Sequence, residues 1–308
     1  MTAQRPSLTR YAWISIAAAS ATILLKLAAY LMTGSVGLLS DAVESVVNLF
    51  GAVMALGMLS WAAQAADDKH PSGHGKAEYF SSGTEGALII LAAGGIAVTA
   101  IERLLHPRPL EQIGLGLAVS VVASAINLVV ARILLSAGRR HNSITLEADG
   151  RHLLTDVVTS AGVVLGIGLV MATGWSVLDP IVALLVSANI VWTGIALIRR
   201  SVDGLMDVGL PEEEQKMIER AMAAFRAKGV AFHALRTRQA AAQRFISVHM
   251  LVPGDWTVHD AHHLAEDFEQ ELGQVLGEAN ITTHLEPIED ENSFHGEAAQ
   301  AAPADGVE

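Results

Sequence analysis

Apolar residues run in six long blocks through the first two thirds of the chain, near residues 11–33, 36–62, 84–105, 113–136, 152–173 and 178–198. Each block is close to the ~20 residues a helix needs to cross the hydrocarbon core of a bilayer, so the pattern predicts six transmembrane helices. The first block is too long for a signal-peptide core, and no cleavage-like segment follows it, so it is expected to persist as a helix. The joints Thr33-Gly34-Ser35, His106-Pro107-Arg108-Pro109 and Thr173-Gly174-Trp175-Ser176 have the composition of tight turns. After Asp207 the rhythm changes. Pro211 followed by three glutamates opens a helix, with acid at its positive end. Val230–Ala240 and Arg244–Val252 then read as strands about a short turn, with Ile246, Val248, Met250 and Val252 on one face. Trp256–Leu272 is amphipathic, and Ile281–Glu286 reads as a last strand. The expected division is a short N-terminal segment (1–10), a six-helix bundle (11–207), an α+β domain of order αββαβ (208–289) and an acidic, disordered tail (290–308).

Charge follows the same division. Of 308 residues only 17% are charged, and the formal net charge is −12. Residues 1–207 carry 13 Lys and Arg against 14 Asp and Glu, whereas residues 208–308 carry 7 against 18. An acid excess argues against a protein that grips nucleic-acid phosphates. Zero cysteine excludes disulfides, thiolate metal sites and cysteine nucleophiles. Arg5, Arg10, Lys69, Lys76, Arg139, Arg140, Arg199 and Arg200 gather on one side of the predicted bundle, against Arg103 and Arg108 on the other. Both termini are therefore expected in the cytoplasm.

Carboxylates and imidazoles within membrane spans are costly and mark function. The second span carries Asp41, Glu44 and Asn48, and the fifth carries Asp149, His152 and Asp156. Both sets are spaced i, i+3, i+7, which puts each on one helix face. Were Glu44 and Asn48 to face His152 and Asp156, two carboxylates, an amide oxygen and an imidazole nitrogen would converge, a first shell for a divalent cation such as Zn²⁺. The alternative is that the stripes only join helix to helix by hydrogen bonds. Lys26 is expected to snorkel or pair, Glu85 to sit near a helix start, and Asp41 and Asp149 to be accessory. Seven of the twelve histidines fall after residue 208, with His259, His262 and His263 on one helix face. His259, His263 and His295 read most simply as solvated surface.

The stretch Leu39-Ser40-Asp41-Ala42-Val43-Glu44-Ser45-Val46-Val47-Asn48 resembles the cation diffusion facilitator family of metal-ion/proton antiporters. So does Ala66-Asp67-Asp68-Lys69-His70-Pro71-Ser72-Gly73-His74-Gly75-Lys76-Ala77-Glu78, and the likeness extends through His152-x-x-x-Asp156, His233–Gln239 and His284-Leu285-Glu286-Pro287. It covers the chain to about residue 290 and is strongest toward the bacterial zinc and iron efflux branch. The resemblance implies a homodimer of six-helix protomers in the inner membrane, each with a cytoplasmic metallochaperone-like domain. It also implies a transport site at Glu44, Asn48, His152 and Asp156, and a loop site at Asp67, His70 and His74. Cytoplasmic metal sites fall on His233, His249, His262, His284 and Glu286, and a salt bridge on Lys76 and Asp207. Zinc-transporting members usually carry two aspartates, or a histidine and an aspartate, where this chain has Glu44 and Asn48.

The expected function is efflux of Zn²⁺ by alternating access, with Fe²⁺, Mn²⁺, Co²⁺, Ni²⁺ or Cd²⁺ as alternative cargo. His152, with Asp156, would couple transport to protons, because one imidazole nitrogen cannot hold both a proton and a metal ion. A membrane metal sensor or partner subunit that moves no ion is the rival of another class. No His-Glu-x-x-His occurs, so an intramembrane metalloprotease is disfavoured and no enzymatic activity is expected.

Overall fold

The computed structural model describes residues 8–33, 36–106, 113–277 and 279–294. The chain divides into two compact units, residues 1–205 and 206–308.

The first unit is built from α1 (Thr9–Thr33), α2 (Val36–Ala62), α3 (Ala77–Leu105), α4 (Ile113–His141), α5 (Ile144–Thr173) and α6 (Leu178–Leu205). Among the described residues these six helices are long and apolar enough to cross a membrane. Large apolar side chains such as Trp13, Leu31, Leu91, Leu185 and Trp192 point outward, while Ser81, Ser82, Glu85, Asp149 and His152 are buried. That inversion of the soluble pattern is what lipid as solvent selects.

Two helices begin earlier than their apolar blocks suggest. α5 starts at Ile144 because Ser143 caps it, its hydroxyl accepting from Leu146 N, and because Glu78 Oε2 accepts from Thr145 N and Ser143 Oγ. Asn142, at φ 49°, makes the sharp turn before that cap. α3 starts at Ala77, and its polar first turns are buried rather than looped out. Glu85 therefore lies two turns inside α3, not near its start. Where α3 meets α6, a Cβ on Gly86 would stand 3.0 Å from Gly194 O, and one on Gly194 2.9 Å from Gly86 O, so paired glycines let the backbones touch.

The second unit holds α7 (Glu212–Arg226), β1 (Ala231–Ala240), β2 (Gln243–Val252), α8 (Val258–Leu276), β3 (Ala279–Pro287) and a 3₁₀ turn (Glu291–Phe294). The sheet order is β1-β2-β3, with β1 antiparallel and β3 parallel to the central β2. Ile246, Val248, Met250 and Val252 bury one face of β2 against Ile218, Met222 and Phe225 of α7 and Phe268 and Leu272 of α8. Phe225 and Phe268 meet edge to face at 5.2 Å. Arg244 holds Glu214 with two bonds of 2.8 Å, tying β2 to α7. The other sheet face stays open, as the αββαβ order predicts. The chain past Asp290 is not tail from its first residue: Ser293 Oγ donates to Pro287 O at 2.8 Å within the 3₁₀ turn. Residues 295–308, including His295, lie outside the described residues.

Candidate metal centres

Three clusters of ligand-type side chains form, each at a place fixed by local structure. The first lies among the helices. Asn48 of α2 presents Oδ1 to His152 Nε2 of α5 at 2.9 Å, and its Nδ2 donates to Asp156 Oδ2, one turn further along α5. Asn127 Nδ2 of α4 donates to the same Asp156 oxygen at 3.2 Å. His152 Nδ1 donates to Glu85 Oε2 of α3. Four helices thus converge on one imidazole and one carboxylate, all three of Asn48, His152 and Glu85 being buried. Glu85 Oε1 and Asn127 Oδ1 are buried acceptors without a hydrogen-bond donor. The side chains of Asp41 and Glu44 lie outside those described.

Asn48, His152 and Asp156 are brought together as expected. Asp149 is turned elsewhere: its Oδ1 accepts from Ser15 Oγ of α1 at 3.1 Å. Lys26 Nζ donates to Ser45 Oγ at 2.9 Å, so it is paired within the bundle. Glu85 and Asn127 were not among the expected ligands. A signal for Glu85 existed, because Glu78, Ser82 and Glu85 stand at i, i+4 and i+7, which puts them on one helix face just as the i, i+3, i+7 spacing does for the stripes of α2 and α5.

The second cluster fills the loop between α2 and α3. Asp67 Oδ1 accepts from the backbone N–H of Lys69 at 2.9 Å and of His70 at 2.6 Å, which bends the chain into an Asx turn. His70 Nδ1 then lies 3.1 Å from Asp67 Oδ1 and 3.1 Å from His74 Nε2, and Asp67 Oδ2 is 3.5 Å from His74 Nε2. Gly73, at φ 81°, allows the turn that brings His74 back. The backbone N–H of His70, more than the adjoining ring and the Lys69 amide, holds the Asp67 carboxyl below the usual carboxylate range. A charged acid and two imidazoles within 4.8 Å of one another can hold a metal ion.

The third cluster stands on the open sheet face. His233 of β1 is directly opposite His249 of β2, which is directly opposite His284 of β3. Glu286, two residues after His284, reaches back into the row: Oε2 is 2.7 Å from His233 Nε2, and Oε1 is 3.1 Å from His249 Nδ1 and 3.5 Å from His284 Nε2. A register shift after His233, with Ala234 at φ 50°, ends the regular ladder beside the cluster. Burial would push the Glu286 carboxyl up, but hydrogen bonds and charge from His233 and His249 hold it below its ordinary value. His262 is not gathered here. It projects from α8 beside Glu266, 3.4 Å away, next to His263, while the rings of His259 and His263 meet edge to face at 4.4 Å.

For the expected pair of Lys76 and Asp207, each side chain has a partner within its own unit. Lys76 Nζ donates to Leu205 O at 3.2 Å, and Asp207 Oδ1 accepts from Arg238 at 3.4 Å.

Residues 12–206 match the cation efflux transmembrane domain, and residues 210–288 match the cation efflux protein cytoplasmic domain. An uncharacterized transporter of Synechocystis sp. is 53% identical over 92% of this chain and 92% of its own length. The cation-efflux pump FieF of Klebsiella pneumoniae is 30% identical over 91% of this chain and 92% of its own, and that of Salmonella newport 29% identical over the same shares. With both domains matched in order along nearly the whole chain, this protein belongs to the cation efflux family of membrane transporters.

Proposed function

We propose that this protein exports Zn²⁺ from the cytoplasm in exchange for protons, by alternating access, through a helix site made of Glu44, Asn48, His152 and Asp156. The observation that carries the reading is the position of His152 Nε2, 2.9 Å from Asn48 Oδ1 and on the same side as Asp156. Asn48 Oδ1 and Glu85 Oε2 are both acceptors, so without an ion the ring satisfies them with an N–H on each nitrogen. A cation that takes Nε2 must displace the proton there. The same atom therefore serves ion or proton, never both, which is the condition for exchange. Release follows when protons from the far side reclaim the ring, and the protonated site returns inward.

Asp67, His70 and His74 form a loop site. His233, His249, His284 and Glu286 form a cytoplasmic one, in a homodimer of the inner membrane with both termini inside. His262 stands apart from its own row and is available to the row of a second protomer. Cytosolic metal captured there would draw the two domains together.

A second reading of the cargo is favoured by Asn48 and Asn127. Neutral amide oxygens in place of further carboxylates or imidazoles give an oxygen-rich shell that suits Fe²⁺ or Mn²⁺, although intrinsic affinity still runs toward Zn²⁺.

Purified protein in liposomes, given a pH gradient and a panel of Zn²⁺, Fe²⁺, Mn²⁺, Co²⁺, Ni²⁺ and Cd²⁺, tests the proposal. Zinc flux that collapses with the gradient and is lost in His152→Ala is expected. Zinc flux indifferent to both would overturn proton exchange, and no flux of any metal would favour a sensor or partner subunit.

A further inference from the structure

Glu85 is buried two turns into α3, with 1% of its surface exposed. A lone carboxylate so placed is costly and calls for a role. One oxygen accepts from His152 Nδ1. The other rests over the backbone of α2 at Gly51, where an added Cβ would stand 2.3 Å from Glu85 Oε1 and 3.0 Å from its carboxyl carbon. Gly51 follows Asn48 by three residues, on the same side of α2 one turn on. The carboxylate therefore occupies a notch that a glycine leaves, and from the notch it reaches the ring whose other nitrogen meets Asn48. Glu85, His152, Asn48 and Asp156 form one continuous hydrogen-bonded chain across α3, α5 and α2.

An ionised carboxylate can only accept. It keeps the proton of a neutral imidazole on Nδ1 and leaves the Nε2 lone pair facing Asn48 and Asp156. Carboxylate, histidine and metal in series is the arrangement by which an outer group orients a ligand and makes it more basic. We propose that Glu85 is a positioning residue of the helix site, seated in the Gly51 notch, and that it fixes the orientation and tautomer of His152 so that Nε2 binds the divalent cation. This rests on the reading of His152 as a ligand. Gly51 enters only through Glu85: a side chain there would push the carboxylate off its seat.

Two measurements on the full chain test it: zinc uptake by proteoliposomes, and equilibrium zinc binding in detergent with His70 and His233 replaced by alanine, so that the helix site remains. Glu85→Ala and Gly51→Ala are each expected to raise KM and Kd for zinc about 10–100-fold, with the maximal rate kept within about twofold. Glu85→Gln keeps the size and the fold, but its amide can turn a donor toward Nδ1, so a rise of about tenfold in KM is expected there too. Gly51→Ala should add nothing to Glu85→Ala, and Glu85→Ala nothing to His152→Ala. Unchanged KM and Kd in Glu85→Gln, or a full additive loss in the His152→Ala background, would overturn the positioning role. The His70→Ala, His233→Ala protein with Glu85 and Gly51 intact, if it bound no zinc, would instead refute the helix site itself.

Discussion

Glu78 and Ser143 meet across 65 positions of sequence, the carboxylate of α3 accepting from the hydroxyl that caps α5. The same oxygen takes Thr145 N, and the backbone oxygen of Glu78 takes Thr145 Oγ1. A helix start buried among other helices thus finds its donors satisfied by a neighbour rather than by water. Glu78→Ala removes an ionic acceptor from a buried helix terminus, and a loss of about 2–3 kcal/mol is expected. It should read as a lower melting temperature of the detergent-solubilised chain, with Glu78→Gln losing less. Equal melting of both variants and wild type would show that α5 does not depend on this cap.

Asn48 joins the two polar stripes by giving an oxygen to His152 and an N–H to Asp156. Asn48→Asp replaces that donor with an acceptor, so two carboxylates face each other and a cation is needed between them. Zinc flux is expected to rise relative to Mn²⁺ and Fe²⁺, while the ion-free protein loses stability. A metal panel in proteoliposomes checks the first outcome and thermal melting with a chelator the second. A selectivity order identical to wild type would remove Asn48 as its determinant.

A steric test is available where α3 crosses α6 near their loop ends. A Cβ on Gly204 would stand 2.1 Å from a ring carbon of Tyr79, itself 2% exposed. Gly204→Ala should cost about 1–3 kcal/mol through overpacking, and the same change made in a Tyr79→Ala background, where the ring is gone, should cost less. Melting temperatures of wild type, both single variants and the pair decide it; an equal loss in the two backgrounds would place the strain elsewhere.

The sheet cluster should respond to pH twice. Glu286 has its carboxyl held below the ordinary value, so its contribution to folding is full above the unfolded value near ~4.3 and is lost as pH falls through the lower folded one. In zinc-free protein, Glu286→Gln should flatten the acid limb of the melting profile. Zinc held by the imidazoles competes with protons, so binding should weaken below about pH 6. Calorimetric titration at pH 7.5 and 5.5 measures it. Binding unchanged between the two would mean that His233, His249 and His284 are not the ligands.

The architecture was largely legible because each of its signals is periodic. Blocks of apolar residues gave six helices, and alternation in Arg244–Val252 gave the central strand to within one residue of its observed Gln243 start. The polar stripes of α2 and α5 pointed to Asn48, His152 and Asp156. Glu85 was harder, because an acid beside an apolar block looks like a boundary unless the helix is known to start earlier. That earlier start puts Glu78 inside α3 as well, where it is buried against the Ser143 cap of α5 rather than looped out. Asn127 stands alone in α4 with no periodic companion of its kind, so only three-dimensional packing shows that it faces Asp156. His262 shares a residue type with the sheet cluster but not its face, and sequence alone does not distinguish the two.

His249 sits on a strand whose alternate residues, Val248 and Met250, are wholly buried in the core. A slip of β2 by one residue would drive the imidazole into that core and turn a valine or methionine to water. The two partner strands repeat the condition, since His233 and His284 both align with His249. Two independent pairings must therefore agree before the ligands form a line, and a metal ion that binds the line binds only chains whose sheet has been laid down in the correct frame. The cluster is a proofreader of its own strand alignment as well as a place for an ion.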